Sequence, residues 1–213
     1  MNFFDQGKMK TSALFHFSFF LFTFCLVGCF NEPEPAYKTV PAESRLYLQD
    51  KGLADLKKTD LSKVGDYLNL DRNLLTNVDE VASLAGLKWL RLNENRLSSL
   101  PDLSKLVNLR RIYLRGNRFA AVPETIKDLP SLTDIDLSGN PIIEIPDWLA
   151  KKEGLENLSF SGTRIKKLPD DLSAWRSLKS LQLGDLNLPA EEMKRIRAAF
   201  DPKGNPLGTA VVF

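Results

Sequence analysis

Leucine and isoleucine recur at fixed positions between residues 46 and 188, and their spacing predicts a series of short strands. In the clearest copy, residues 87–97, Leu90 and Leu92 stand two apart, so both side chains lie on one face of a strand. Asn95 follows at the point where the strand must turn. One such unit cannot bury its leucines alone, so the rest of the chain has to supply copies.

The same frame recurs along the chain with a nearly constant period. The first strand leucine or isoleucine of each copy is residue 46, 68, 90, 112, 135, 158 and 181, which gives steps of 22 and then 23 residues. Self-similarity at this period is typical of a solenoid. Four copies follow the pattern L-x-x-L-x-L-x-x-N-x-L closely, and on that pattern residues 46 to 213 resemble leucine-rich repeat proteins. The resemblance implies an α/β repeat solenoid, with a curved parallel sheet on the concave face and short helices or 3₁₀ turns on the convex face.

The asparagines that recur after the strands are predicted to be structural. An asparagine amide both donates and accepts hydrogen bonds, so it can satisfy turn backbone groups that stacking has removed from water. The resemblance implies the same role. These residues, called here the asparagine ladder, are Asn73, Asn95, Asn117 and Asn140. Lys51, Thr163 and Leu186 stand at the equivalent place in other units, as expected of atypical units near the ends of a stack.

Prolines followed by acidic residues divide the convex half of the later units. Pro123, Pro146 and Pro169 each precede an acid and predict the start of a short helix or 3₁₀ turn. Trp148 and Trp175 lie in these stretches and are expected to pack rather than to bind. The repeats are assigned to residues 45–188. Residues 189–213 leave the frame and predict a helix from residue 189 to 200, a turn at 204–206 and a final strand, which resembles the C-terminal caps of the family.

The first 28 residues predict export. Lys8 and Lys10 precede an apolar run over residues 13–27, an arrangement typical of a secretory signal and shorter than the about 20 apolar residues of a spanning helix. Residues 26–29, Leu-Val-Gly-Cys, resemble the lipobox of bacterial lipoproteins, which implies cleavage before Cys29 and acyl chains such as palmitate on that cysteine. A signal cut elsewhere and an uncleaved anchor are the alternatives, and Met9 is a second candidate start.

Residues 29–44 are interpreted as the lipidated cysteine and a flexible tether. Residues 31–44 contain three prolines and three glutamates and no apolar period, a composition that favours an extended linker. The alternative is an extension that caps the first repeat. Phe30 replaces the aspartate that retains lipoproteins at the inner membrane in families sorted by this position, so we expect the outer membrane or the cell surface.

The chemistry-bearing residues exclude most enzyme classes. The single histidine, His16, and both cysteines, Cys25 and Cys29, lie in or at the end of the leader. The mature chain therefore lacks Ser-His-Asp and Cys-His catalysis and the common zinc sites, and no cofactor is expected. Asp134 and Asp136 share an outward face and are expected to be solvated rather than an acid–base pair or a calcium site. A net charge of +2 gives no large field for nucleic acid.

The outward positions of the predicted strands are aromatic and charged in the first half and small and polar in the second. Because Trp, Tyr and Arg are enriched at binding hot spots, we predict a binding patch in the first half. Its residues, called here the predicted patch, are Tyr67, Trp89, Arg91, Arg111, Tyr113, Arg115, Asp134 and Asp136. The alternative is a surface ladder in which arginines pair with the two aspartates and cover the rings.

The sequence is therefore interpreted as an envelope-anchored recognition module without catalytic activity. A protein partner is expected, with a glycan possible because rings also stack on sugars. Other interpretations are a structural envelope protein that contacts peptidoglycan and a glycosidase that uses two carboxylates, which would need a cleft lined by acids. Homodimerisation through the concave face also stays open.

Overall fold

The strands form one parallel sheet in which spatial order follows chain order. The computed structural model describes residues 44–201 and 209–213. Within them the sheet has eight strands of three residues each. They are β1 (Arg45–Tyr47), β2 (Tyr67–Asn69), β3 (Trp89–Arg91), β4 (Arg111–Tyr113), β5 (Asp134–Asp136), β6 (Asn157–Ser159), β7 (Ser180–Gln182) and β8 (Ala210–Val212).

The repeat period sets the pairing register of this sheet. Leu46 pairs with Leu68, Leu68 with Leu90, and Leu90 with Ile112, so equivalent residues of successive units stand side by side. Because side chains alternate between the two faces of a strand, this register places every central leucine or isoleucine on the same inner face. Leu90 and Leu92 are fully buried there. Burial of each such side chain contributes about 1.5–3 kcal/mol, so the period itself specifies the core.

Short helical turns close the convex side of the units. The 3₁₀ turns are Asp79–Ser83, Glu124–Ile126 and Ser173–Ser177, and α1 spans Asp147–Ala150. The turn predicted at Pro169 begins later, at Ser173, because the Asp171 carboxylate accepts the Ser173 N–H at 2.9 Å and fixes the start of the turn there. The other two prolines, Pro123 and Pro146, immediately precede their helical turns, as predicted.

Both convex tryptophans pack, as the sequence predicted. Trp175 is fully buried and its indole Nε1 donates to the Leu149 carbonyl at 3.1 Å. Trp148 is half-buried and its Nε1 donates to Glu124 Oε1 at 2.8 Å. Each ring therefore ties one convex turn to the turn of the preceding unit.

The C-terminal segment closes the last leucine layer. Helix α2 spans Ala190–Ala199, and β8 pairs in parallel with β7. Glu192 is 8% exposed, and its Oε1 accepts the Leu168 N–H at 2.8 Å and Arg195 Nη2 at 2.7 Å. The Arg195 Nη2 also donates to the Leu168 carbonyl at 3.0 Å, so this buried pair bonds α2 to the sixth repeat.

Part of the sequence interpretation lies outside the described residues. The leader, Cys29, the tether up to residue 43 and the turn at residues 204–206 belong to this part, and their assignments stay predictions. In residues 44–201 and 209–213, no helix has the length and apolar character needed to cross a membrane.

Candidate binding face

Four aromatic side chains form a continuous row on the concave face, which is the face of the sheet turned away from the leucine core. The ring centroids of Tyr47 and Tyr67 are 5.1 Å apart, those of Tyr67 and Trp89 are 5.2 Å apart at 85°, and those of Trp89 and Tyr113 are 6.0 Å apart. Adjacent strands are about 4.8 Å apart, so residues at outward positions of neighbouring strands necessarily meet. The row therefore follows from placing rings at these positions in successive units.

Arginine side chains cover the rings. The guanidinium Cζ of Arg111 lies 4.7 Å from the Trp89 ring centroid, that of Arg91 lies 5.5 Å from Tyr113, and that of Arg45 lies 5.9 Å from Tyr67. Each distance falls within the about 6 Å over which a cation is attracted to a ring face. The seven side chains, called here the ring–arginine cluster, are Arg45, Tyr47, Tyr67, Trp89, Arg91, Arg111 and Tyr113.

A buried aspartate that the sequence analysis missed holds one of these arginines. Asp71 is 2% exposed, and its Oδ2 accepts Arg91 Nε at 2.8 Å and Nη2 at 2.7 Å. Its Oδ1 accepts the Asn93 N–H at 2.7 Å. Such charge-assisted bonds are stronger than neutral ones and fix the orientation of the guanidinium. The signal was present in the sequence, because Asp71 stands at the outward position after Leu70, in the same row as Asn93 and Arg115.

The prediction that Asp134 and Asp136 are solvated is wrong. Asp134 is 4% exposed and Asp136 is 6% exposed. The neighbours on both sides cover Asp134: Asn157 Nδ2 donates to its Oδ1 at 2.7 Å, and Arg111 Nε lies 3.8 Å from its Oδ2. Thr133 Oγ1 completes the set with a 2.5 Å bond to Oδ2. Tyr67 of the predicted patch is also buried, since Tyr47 and Trp89 pack on its two sides.

The carboxyl of Asp136 is buried near the charges of Arg91 and Arg115. Burial raises the pKa of its carboxyl above the ordinary 3.8, although the hydrogen bonds from Ser138 and the charges of Arg115 and Arg91 act in the opposite direction. The Ser138 N–H donates to its Oδ1 at 2.9 Å. The ionised carboxylate therefore carries a desolvation cost at neutral pH.

The remaining members of the predicted patch reach the surface. The Arg91 side chain is 30% exposed and that of Arg111 is 18% exposed. Trp89, Tyr113 and Arg115 are half-buried. Trp89 thus lies on the concave face rather than in the core, and its covered indole N–H has no hydrogen-bond partner among the described residues. The structure contains elements of both interpretations of this face, since the arginines pair with aspartates and cover rings but keep part of their surface open.

The asparagine ladder bonds backbone groups of adjacent units. Asn95 Nδ2 donates to the carbonyls of Leu70, Leu92 and Asn93 at 3.0–3.1 Å, and its Oδ1 accepts the Leu75 N–H at 3.1 Å. The same kind of bonds to backbone groups, five for Asn73 and four each for the other two, is made by Asn73, Asn117 and Asn140. The ladder stops at Thr163, whose buried Oγ1 has no partner among the described residues. These asparagines are 7% exposed or less and do not reach a ligand.

No metal centre is formed by the described part of the chain. Residues 44–201 and 209–213 contain no group of three or more His, Cys, Asp or Glu side chains arranged to hold an ion. The groups that the concave face presents for binding are oriented arginine guanidinium groups and aromatic rings.

The parallel sheet of in-register three-residue strands, the asparagine ladder and the convex turns together define a leucine-rich repeat solenoid. Family comparisons agree: residues 66–119 and residues 131–151 each match a family described as leucine rich repeat. The chain therefore has the leucine-rich repeat fold. Such domains are commonly protein-interaction modules.

Solved structures are similar over most of the chain. A leucine-rich repeat protein of Leptospira interrogans is 26% identical, with a TM-score of 0.64 over 76% of this chain and 40% of its own. A TDR receptor is 25% identical, with a TM-score of 0.58 over 68% of this chain and 26% of its own. The chain thus spans less than half the length of either protein. No curated protein matches it in sequence.

Proposed function

We propose that this protein is a non-enzymatic recognition module of the bacterial cell envelope, held to the membrane by lipid on Cys29, that binds a protein partner with the N-terminal half of its concave face. The lipobox-like residues 26–29 support the anchor. The similarity to a protein of Leptospira interrogans supports a bacterial source.

The ring–arginine cluster is the observation that carries the recognition role. Folding needs the inward leucines, which the C-terminal half also has, and the asparagine ladder, which extends into that half at Asn140. It does not need Trp, Tyr and Arg at consecutive outward positions. Asp71 and the Tyr113 ring hold Arg91 in one orientation, and Asp134 and the Trp89 ring do the same for Arg111. Side chains ordered before binding lose less conformational entropy when a partner docks.

The geometry of the rings favours a protein over a glycan. A sugar stacks on an open ring face, whereas Arg111 covers one face of Trp89 and Tyr67 packs on its other side. The cluster presents partly exposed guanidinium groups and half-buried rings, which suit carboxylates and apolar side chains of a polypeptide. Free sugar is accordingly expected to leave binding unchanged.

The recognition role is tested by cross-linking from intact envelopes. The test variant combines Trp89→Ala, Arg91→Ala and Tyr113→Ala, and the control combines Ser161→Ala, Ser180→Ala and Gln182→Ala on the other half of the same face. Thermal unfolding first confirms that both variants fold. We expect wild type and control to capture the same partner and the test variant to lose it, because truncating hot-spot residues costs about 2 kcal/mol or more each. Capture by all three would move the site elsewhere, and capture by none would favour a structural envelope role.

The anchor is tested separately by metabolic labelling with a palmitate analogue. Wild-type protein is expected to carry the label and to fractionate with membranes, whereas Cys29→Ser is expected to lose both properties. Label retained in the variant would contradict lipidation at this cysteine, and Cys25→Ser is the matched control that should behave as wild type.

A further inference from the structure

Positive charge is concentrated on two neighbouring repeats. Residues 88–96 and 110–118, which contain β3 and β4, carry seven cationic side chains and one acidic side chain, whereas the formal charge of the whole chain is only +2. Glu94 is the acid. The seven cations, called here the cationic band, are Lys88, Arg91, Arg96, Arg110, Arg111, Arg115 and Arg118.

The acids of the concave face do not neutralise this band at its surface. Asp71, Asp134 and Asp136 are 2–6% exposed, so a docking partner meets the arginines and not the carboxylates beneath them. The buried acids orient Arg91 and Arg111 from below, at 2.7 Å and 3.8 Å. Their negative charge therefore serves to position the cations, and the layer that faces solvent stays net positive, with Glu94 as its one exposed acid.

Four members of the band differ from Arg91 and Arg111, because their side chains have no polar partner among the described residues. Lys88, Arg96, Arg110 and Arg118 are exposed, and none forms an ion pair or a side-chain hydrogen bond in the part of the chain that the structure describes. Lys88 and Arg110 directly precede β3 and β4, while Arg96 and Arg118 follow the same strands after the asparagine turn. Free cations thus flank Trp89 and Tyr113 at both ends of the strands.

We propose that the partner segment recognised by this face is an acidic stretch of polypeptide that combines carboxylates with apolar side chains. This inference rests on the proposed recognition role and names the chemistry of the partner. Carboxylates meet the outer edges of Arg91 and Arg111, which can bind them with paired hydrogen bonds. Apolar side chains pack on the exposed surface of the half-buried Trp89 and Tyr113, and the four flanking cations attract the segment before contact.

A nucleic acid fits this surface less well. Single-stranded nucleic acids bind to aromatic faces on which bases stack, and Arg111 already covers a face of Trp89. The band is also only two strands wide, about 10 Å, which suits a peptide more than a long polyanion track. Binding of an oligonucleotide is therefore one of the outcomes that would overturn the proposal.

The experiment uses labelled synthetic peptides of one length and the folded mature chain. One peptide alternates Glu with Leu and Phe, a second replaces each Glu by Lys, and a third is polyglutamate. A single-stranded oligonucleotide of the same charge is the fourth probe. Fluorescence anisotropy at low salt is expected to show the tightest binding for the acidic, apolar peptide, weaker binding for polyglutamate and none for the lysine peptide. Raising the salt concentration should weaken the binding of both acidic peptides.

Two charge-reversal variants locate the effect. Arg110→Glu with Arg118→Glu is expected to weaken binding of the acidic, apolar peptide at low salt by about tenfold or more, mainly through slower association. Arg164→Glu with Arg176→Glu changes the net charge equally on exposed residues of the C-terminal half and should change binding by less than about twofold.

Several results would overturn the inference: no binding by any peptide, equal binding of the acidic and lysine peptides, equal weakening by both variants, or tighter binding of the oligonucleotide. If the peptides fail to discriminate while the envelope partner is still lost in the Trp89, Arg91, Tyr113 variant, the recognition role stands and the acidic partner is wrong. If the envelope variant keeps its partner, the recognition role itself fails.

Discussion

In β1–β4 the outward positions carry four aromatic rings and three arginines, whereas in β5–β8 they carry neither, only two aspartates and small or uncharged side chains. The inward positions of the two halves are alike, with Leu68 and Leu158 equally buried. Small polar side chains of the C-terminal half form hydrogen bonds with one another, as in the 2.6 Å contact between Ser138 Oγ and Ser159 Oγ. The comparison teaches that folding constrains one face of each strand and leaves the chemistry of the other face open to function.

Substitution in the asparagine ladder should lower the free energy of unfolding by a similar amount in both halves. It therefore tests whether the two halves share the same structural requirement. Asn95→Ala leaves the carbonyls of Leu70, Leu92 and Asn93 and the Leu75 N–H without their partner. Since each unsatisfied buried group costs about 1–3 kcal/mol and neighbours relax in part, we expect the free energy of unfolding to fall by about 3–5 kcal/mol. Asn140→Ala in the other half should cost about the same in urea unfolding. A loss below about 1 kcal/mol in either variant would contradict this account.

The C-terminal half depends on the buried carboxylate of Glu192, which bonds the cap helix to the sixth repeat. Glu192→Ala removes the acceptor of the Leu168 N–H and of Arg195. We expect a loss of about 2–3 kcal/mol, less than for a fully buried pair because a third of the Arg195 side chain is exposed. Urea unfolding measures it, and Glu191→Ala on the exposed side of the same helix is the control that should change little.

The pH dependence of this charge is opposite to that of Asp136. The hydrogen bond from Arg195, with support from the Leu168 N–H, lowers the pKa of Glu192 below its ordinary 4.5, so its contribution is present at neutral pH and is lost as pH falls through the lowered value. Burial raises the pKa of Asp136, so its contribution is fully present below the ordinary 3.8 and is lost as pH rises through the raised value.

Asp136→Asn should therefore stabilise the fold at neutral pH. The amide removes a desolvated charge, and its oxygen can keep the bond from the Ser138 N–H. We expect a higher melting temperature than wild type at pH 7, and a difference that disappears at a pH below the ordinary value of the carboxyl. A variant that is less stable at both pH values would show that Asp136 acts mainly as the partner of the nearby arginines.

The smallest effect is expected where the ladder stops. Asn140 Nδ2 donates to the Leu114 and Leu137 carbonyls, so Thr163→Asn is expected to place an amide next to the equivalent Leu137 and Phe160 carbonyls one unit later. We expect a gain of about 1 kcal/mol, the net value of an added buried hydrogen bond, since the unpartnered hydroxyl is replaced as well. Thr163→Val is the matched variant that removes the hydroxyl without adding an amide. If Asn is no more stable than Val, this site does not accept the ladder.

The fold could be predicted from the sequence because the repeat period states which residues are equivalent. Leu46, Leu68 and Leu90 pair as their spacing indicated, and the cap helix predicted at residues 189–200 spans Ala190–Ala199. The outward position of Trp89 and Arg91 followed from the same alternation.

The burial of Asp134 and the role of Asp71 could not be predicted from that alternation. The period gives the face on which a side chain lies but not how far a longer neighbour leans over it. Arg111 reaches Asp134 across one strand interval, and Arg91 turns back to Asp71 of the preceding unit. Arg111 and Asp134 are direct cross-strand neighbours, and their pairing was among the alternatives drawn from the sequence. The contact from Arg91 to Asp71 is diagonal and depends on the rotamer of the arginine, so Asp71 was missed.

The uncrossed order of the strands has a consequence for how this surface evolves. Because β1 to β8 stack in chain order and in register, duplication or loss of one whole repeat would leave every other pairing unchanged. Such an event would change the distance between the outward side chains of the flanking strands by about 4.8 Å, the spacing of one strand. Gene rearrangement can therefore change the length of the concave face in discrete steps, while single substitutions change the chemistry of one outward position at a time.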